Sequence, residues 1–265
     1  MKKYVAVAKI LFKAQLTYRF DVVMTALSAV WRIIFAWILW GAIYAGRTTV
    51  GGFTLEAMLT YYVAGAFLAT ADMSYSLCGE VSARIKNGTF SKYMVVPSNP
   101  QVHFISQTIG ASGYYGIFAV AATVLSAVAF RIAPVLTGDL FSVLLAAAIC
   151  LLGFVFMYSF HFFVGLWAFK VTDVIFLTHI LPDVIAFFKG EYVPLSLLPA
   201  GFAEKLRYLP FTHVIYTPVM LLMGEIEPGE AAFGFAVLAV WTLAMLVISQ
   251  YTYDRLRVKY EGVGI

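Results

Sequence analysis

The sequence predicts an all-α integral membrane protein, and three observations carry that reading. Hydrophobic residues make up 62% of the 265-residue chain and charged residues 12%, against roughly a quarter charged in soluble domains. A water-soluble chain of this composition would lack the polar side chains to cover its exterior. The apolar residues fall in runs of about 20 or more, the length that crosses roughly 30 Å of hydrocarbon. The 23 Phe and 16 Tyr suit spans that are packed and anchored by aromatic rings.

The first element is polar on one side only. Within residues 2–19, Lys2, Lys9 and Lys13 share one narrow face at 100° per residue, while Tyr4, Val7, Ile10, Leu11, Phe12 and Tyr18 cover the rest. Such a basic amphipathic helix suits the headgroup plane, with its lysines toward anionic lipid. Met1-Lys2-Lys3 opens like a signal peptide. Lys9 and Lys13 interrupt the apolar run, however, and no small-residue cleavage site follows, so the segment is expected to be retained.

Six spans follow, at about 22–45, 55–78, 102–130, 140–169, 174–188 and 231–251, within a single membrane domain covering residues 1–265. The third and fourth are long enough to tilt or protrude, and the fifth is short. Residues 208–224 are apolar enough for a seventh, but Pro210 and Pro218 interrupt them and Glu204, Lys205 and Arg207 precede them. Irregular backbone at membrane depth is tolerated where other helices cover it. Residues 191–229 therefore read as short helices that dip into the outer leaflet and return, an outer re-entrant segment before the last span. With the N-terminus inside, twelve of the eighteen Lys and Arg lie in inner segments and five in outer ones, with Arg32 inside span 1. The positive-inside rule then places both termini in the cytoplasm of a multi-pass protein of the inner (plasma) membrane.

Most signatures of chemistry are missing. The chain has no G-x-x-x-x-G-K-[ST] phosphate loop, H-E-x-x-H or C-x-x-C, which excludes the usual routes to nucleotide hydrolysis and to a zinc site. His103, His161, His179 and His213 are too far apart for a ligand pattern and read as packing or interfacial residues. Cys78 and Cys150 lie in or beside apolar spans and imply no disulfide framework. A dispersed net charge of +4 does not suggest nucleic acid. Gly110-Ala111-Ser112-Gly113 matches the G-x-S-G of intramembrane serine proteases, but neither span 2 nor the last span holds a histidine to take the serine proton. Gly110, Gly113 and Gly116 recur every three residues and read better as a strip that another helix can approach closely. The sequon Asn87-Gly88-Thr89 falls on the inner side and is expected to be silent.

Two ionisable residues sit well inside spans, where a charge costs roughly 2.5–3.5 kcal/mol on insertion scales and needs a partner or a wet cavity. Arg32 lies about 15 Å and Asp72 about 9 Å from the inner ends of their helices at 1.5 Å per residue. Side chains lean toward the helix N-terminus. The two heads thus converge on one depth and are expected to pair, as a structural ion pair or as groups lining a substrate cavity.

The inner loop Gly79-Glu80-Val81-Ser82-Ala83-Arg84-Ile85-Lys86-Asn87-Gly88-Thr89-Phe90-Ser91-Lys92-Tyr93 holds a short amphipathic helix that stops at Asn-Gly. It resembles the coupling-helix region of type-2 ABC exporter permeases, roughly I-x-x-G-T-[FL]-x-x-[YL]-[ML]-V-x-P, at Ile85, Gly88, Thr89, Phe90, Tyr93, Met94, Val95 and Pro97. Residues 187–199, with Leu209-Pro210-Phe211, Tyr216, Pro218 and Gly224, look like the same family's outer re-entrant motif. Lys189 and Glu191 depart from it, since smaller or uncharged residues are usual there. The likeness covers essentially the whole chain and is closest to half-size bacterial permeases without an attached ATPase domain.

The resemblance implies a non-enzymatic permease that pairs with a second copy or a sister permease in membrane lipid and sits on two ATP-binding subunits. ATP and Mg would be bound by those subunits, and this chain would hold no cofactor. It implies export of a small amphipathic compound, peptide or lipid-like substrate by ATP-driven alternating access. Glu80, Arg84, Lys86, Asn87, Gly88, Phe90 and Lys92 would meet the ATP-binding subunit. Arg32, Asp72, Tyr61, Tyr62, Phe67, Tyr75 and Phe187 are candidates for the substrate pathway. A gradient-driven secondary transporter is the rival reading, with Asp72 and Asp183 as its candidate coupling carboxylates.

Overall fold

The computed structural model describes residues 2–171 and 176–259, and among these the regular structure is helical throughout, with no strand. In chain order the helices are α1 (Lys2–Ala14), α2 (Arg19–Ile43), α3 (Leu55–Ala71), α4 (Ser74–Lys86), α5 (Ser91–Val95), α6 (Pro100–Ala129), α7 (Leu140–Leu166), α8 (Leu181–Phe188), α9 (Ala200–Leu206), α10 (Tyr216–Met223) and α11 (Pro228–Leu256). Among the described residues four helices are long and apolar enough to cross a membrane: 20–43, 100–129, 140–169 and 228–256. Those at 178–188 and 210–223 are apolar but shorter. The first two residues of the expected fifth span, 174 and 175, lie outside the described residues.

Local chemistry sets the boundaries. Asn99 caps α6 by accepting from the Val102 N–H at 3.1 Å, with Pro100 at the first helical position, where its missing N–H costs nothing. Asp139 caps α7, accepting from the N–H groups of Phe141 and Ser142 and from the Ser142 hydroxyl. The exposed apolar faces of α2, α6, α7 and α11, which include Phe35, Val128, Leu151 and Val247, are what hydrocarbon solvent requires.

The expected second span is broken. α3 ends at Ala71, Asp72 is extended (φ −78°, ψ 95°), and α4 restarts at Ser74. The Asp72 carboxylate accepts from the Ser74 N–H at 3.0 Å, and the Ser112 hydroxyl oxygen accepts from the Met73 N–H at 3.2 Å. Backbone groups freed inside an apolar region must find such partners. Tyr158 donates its hydroxyl to the same Ser112 oxygen at 2.8 Å. Ser112 is therefore the clasp of a helix break, and the protease-like motif has a structural use.

The glycine strip on α6 admits close neighbours. A Cβ at Gly110 would overlap the Ala8 carbonyl oxygen of α1, one at Gly113 would touch Phe12, and one at Gly116 would touch Ala71. Lys3 donates to the Pro97 carbonyl and the Tyr4 hydroxyl accepts from the Asn99 N–H. The expected lipid-facing apolar surface of α1 is thus divided: Ala8 and Phe12 go to α6, while Val5 and Ile10 stay exposed.

Two buried clusters organise the rest. One joins α3, α7, α10 and α11 through Met58, Ile149, Phe156, Val219 and Leu238. The short helices of residues 191–229 supply a good part of it, since Val214, Ile215, Met220 and Leu221 are all buried. The other cluster gathers Leu77, Val81, Phe90, Phe104, Phe162 and Tyr253 around α4.

Candidate functional site

Four charges form a continuous chain between α2, α3 and the turn after α8. Arg32 pairs with Glu191, the Lys189 ammonium lies 3.4 Å from Glu191, and it also lies 3.5 Å from Asp72. Arg32 and Asp72 do not meet. Their expected pairing is replaced by a relay through Glu191 and Lys189, the two residues that depart from the family motif. The side chains of Lys189, Asp72 and Glu191 are 9, 4 and 8% exposed, whereas that of Arg32 is 42% exposed. Three of the four charges are therefore held by one another and not by water.

The turn that presents Lys189 and Glu191 is set by Gly190. Its φ is +76°, a left-handed C-terminal stop that glycine adopts without a steric penalty. The Glu191 N–H closes the turn on the Ala186 carbonyl and the Gly190 N–H on that of Phe187. The space where a Cβ would sit is taken by the Tyr61 hydroxyl, 2.7 Å away. Tyr61 donates that hydroxyl to the Gly190 carbonyl at 2.6 Å, and the Tyr216 N–H donates to the Lys189 carbonyl at 3.1 Å. α3 and α10 thus clamp the turn from two sides.

Two cavities adjoin the charge chain. One of about 240 Å³ is lined by Asp72, Tyr75, His161, Asp183, Lys189 and Tyr192 among others. The second, of about 400 Å³, is mostly apolar, with Phe35, Ala36, Leu39, Tyr62 and Ala66 in its wall. Arg32, Glu191 and Tyr192 line both. Tyr192 donates to Asp183 at 3.1 Å, and Tyr62 donates to the Tyr192 carbonyl at 2.6 Å.

The expected pathway residues divide accordingly. Arg32, Asp72, Tyr62 and Tyr75 line the cavities. Tyr61 does not: it is 1% exposed and its hydroxyl is committed to Gly190. Phe67 packs against the central cluster, and Phe187 lines neither cavity. Lys189, Glu191, Tyr192 and His161 join Arg32, Asp72 and Tyr75 in the cavity wall, although the sequence pattern does not single them out as pathway residues. The available signal was the pair of charges in the 187–199 motif, because two opposite charges beside apolar spans need partners as much as Arg32 and Asp72 do.

At the far end of α4 lies the expected coupling segment. Lys86, Asn87 and Lys92 are exposed at its tip. Glu80 and Arg84 pair with each other at 2.6 Å, and the Arg84 guanidinium lies over the Tyr93 ring. Gly88, with φ +72°, makes the stop. Phe90 departs from the expectation that it meets the ATP-binding subunit. It is fully buried, stacked on Phe104 at 5.9 Å and edge-on to Phe169. α4 itself is fixed to α7: Val81 fills the place a side chain on Gly165 would need, with its Cβ 2.9 Å from that position, and Ser82 donates to the Gly165 carbonyl.

A helical membrane protein that holds a charge relay and open cavities among its apolar helices has the build of a transport component. A family model described as "ABC-2 family transporter protein" matches residues 30–264, and the chain belongs to that family. It is a membrane component of an ABC transporter, of the type-2 permease kind. No curated protein and no solved structure matches it.

Proposed function

We propose that this chain is the permease subunit of an ATP-driven exporter. It would pair with a second permease, stand on two ATP-binding subunits and move a small amphipathic substrate outward. In this reading α2, α3 with α4, α6, α7, α8 and α11 give six spans of one domain in the inner membrane, with both termini cytoplasmic. The supporting observation is the placement of α4. Its thirteen residues, about 20 Å at 1.5 Å per residue, join the exposed tip at Lys86–Lys92 to Asp72 in the charge relay. The interruption at Asp72–Met73 separates α4 from α3, and Val81 and Phe90 pack α4 and the segment after it into one cluster, with which α4 would move.

Closure of the ATP-binding subunits would push the tip, and α4 would carry that displacement to Asp72. Any change in the distance from Asp72 to Lys189 is opposed by the cost of leaving a buried charge unpaired. The permease is therefore expected to prefer two discrete arrangements of the relay over a continuum. ATP binding would bias one cavity state over the other, which is all that alternating access needs.

The test is transport by reconstituted vesicles, with and without ATP and the cognate ATP-binding subunit. Transport that requires both supports the exporter. Transport driven by a proton or sodium gradient without the subunit would overturn it.

A further inference from the structure

The smaller cavity has a charge imbalance and one unanswered buried group, and the two point the same way. Among its described lining residues two are cations, Arg32 and Lys189, and three are carboxylates, Asp72, Asp183 and Glu191. Lys189 is shared between Asp72 and Glu191, and Arg32 is taken by Glu191. Asp183 has the Tyr192 hydroxyl but no cation among the described residues. It stands exposed on α8 beside the cavity.

His161 is the second, independent observation. It is 2% exposed and lines the same cavity. Its Nδ1 lies 3.0 Å from the Met157 carbonyl. A carbonyl can only accept, so Nδ1 carries the hydrogen and the neutral ring presents Nε2 as an acceptor. That Nε2 is buried and has no hydrogen-bond partner among the described residues. Leaving a buried polar atom unsatisfied costs free energy, and a ligand bearing a donor would relieve it.

We propose that the cavity binds a protonated amine, and that the adjoining apolar groove takes the hydrocarbon or aromatic body attached to it. The substrate class is then a cationic amphiphile. The ammonium pairs with Asp183 and, once it displaces the packing that closes off His161 Nε2, donates to that nitrogen as well, with Tyr75 and Tyr192 walling the cavity around it. Phe35, Leu39 and Ala66 receive the apolar portion. The two compartments share Arg32, Glu191 and Tyr192 in their walls, so the amine and the body of one molecule would lie on either side of these side chains. An anionic amphiphile finds no free cation of equal standing, since both basic groups are already paired. The inference rests on the permease reading only in treating the ligand as cargo, because binding needs no nucleotide.

The experiment uses the full chain in lipid nanodiscs and two fluorescent probes with the same body and opposite charge. Dansylcadaverine carries a protonated amine, and 6-(dansylamino)hexanoate carries a carboxylate. Fluorescence anisotropy, corrected with empty nanodiscs, should show saturable binding of the amine at least about tenfold tighter than of the carboxylate, a difference of one well-placed charge contact. Asp183→Asn should remove most of that preference, while Asp183→Glu keeps it. His161→Leu, and His161→Phe as a second variant in case the first does not fold, should weaken the amine about fivefold. The same changes should leave the N-trimethylated probe, which has no N–H to give, bound as before. Equal binding of the two probes, tighter binding of the carboxylate, or a preference that survives Asp183→Asn would overturn the proposal. Failure of ATP-driven transport would instead count against the exporter reading and leave this binding result standing.

Discussion

Lys189 and Asp72 are 117 residues apart in sequence, yet the Lys189 ammonium lies 3.5 Å from the Asp72 carboxylate, and both side chains are buried. Through Lys189, Asp72 is linked to Glu191 and so to Arg32. Removing one member of a buried pair strands the other, at a cost of about 3–5 kcal/mol. Lys189→Met and Asp72→Asn should each lower folded yield and melting temperature in detergent, and the double change should recover part of the loss. Arg32→Met should cost less, because that side chain is 42% exposed. Its combination with Asp72→Asn leaves Lys189 paired with Glu191, so that double change should also recover part of the loss. Purely additive losses in the Lys189–Asp72 double variant would show that these two side chains are not partners.

The relay explains why the site was only half legible in the sequence. Arg32 and Asp72 stood out because charges inside apolar runs are expensive, and their depths were read on two unbroken helices. The chain breaks at Ala71-Asp72-Met73-Ser74 without a proline or glycine to announce it. Lys189 and Glu191 lay in a motif where the family resemblance, and not charge balance, governed the reading. The long helices were visible because a helix that is apolar all round carries its own signal. Phe90 was misjudged for a different reason. Its neighbours come from α6, the turn after α7, and α11, and no local pattern reports such contacts.

Phe90 and the exposed lysines of the tip should therefore behave differently. Lys86→Glu with Lys92→Glu is expected to leave melting unchanged and to weaken co-purification of the ATP-binding subunit. Phe90→Ala opens a buried cavity and should destabilise the chain by about 3–5 kcal/mol, seen as a lower melting temperature before any partner is added. A Phe90→Ala protein of unchanged stability that fails to bind its partner would restore the ring as a contact residue.

Ser112 makes a prediction about chemistry as well as packing. Ser112→Ala removes the acceptor for both the Met73 N–H and the Tyr158 hydroxyl. Each stranded buried donor costs about 1–3 kcal/mol. Adding Tyr158→Phe should return part of the loss by deleting one of them. A fluorophosphonate probe should not label the wild-type serine; robust labelling lost in Ser112→Ala would revive a nucleophilic role.

The close approach of α1 to α6 can be tested one residue at a time. Gly110→Ala forces a methyl group against the Ala8 backbone, whereas Gly113→Ala meets only Phe12 at ordinary contact distance, 3.8 Å. The first should loosen α1, read as faster hydrogen exchange over residues 3–14, and cost about 1–3 kcal/mol as overpacking does. The second should leave exchange unchanged. Equal protection in both variants would mean that α1 is held elsewhere.

Asp139 gives a pH dependence with a definite sign. The Ser142 hydroxyl, followed by the backbone N–H groups of Ser142 and Phe141, holds its carboxyl below the ordinary carboxylate value. The unfolded chain then binds the proton more readily, so the cap stabilises fully above the ordinary carboxylate range and fades as pH falls through the lowered folded value. Asp139→Ala should melt below wild type at pH 7, and the gap should narrow as the pH drops below about 4. A gap that stays constant down to pH 2.5 would show that ionisation of the cap contributes nothing.

The relay also bears on electrical work. Arg32, Glu191, Lys189 and Asp72 carry two positive and two negative charges, so the group is neutral as a unit. Carrying one elementary charge through a membrane potential costs or yields about 2.3 kcal/mol per 100 mV, but a neutral group displaced as a whole exchanges none. Movement of these residues together as one unit is therefore blind to voltage. If a cationic cargo moves with them, its own charge is what the membrane potential acts on. An inside-negative potential then opposes its exit by the same amount, whatever state the relay is in.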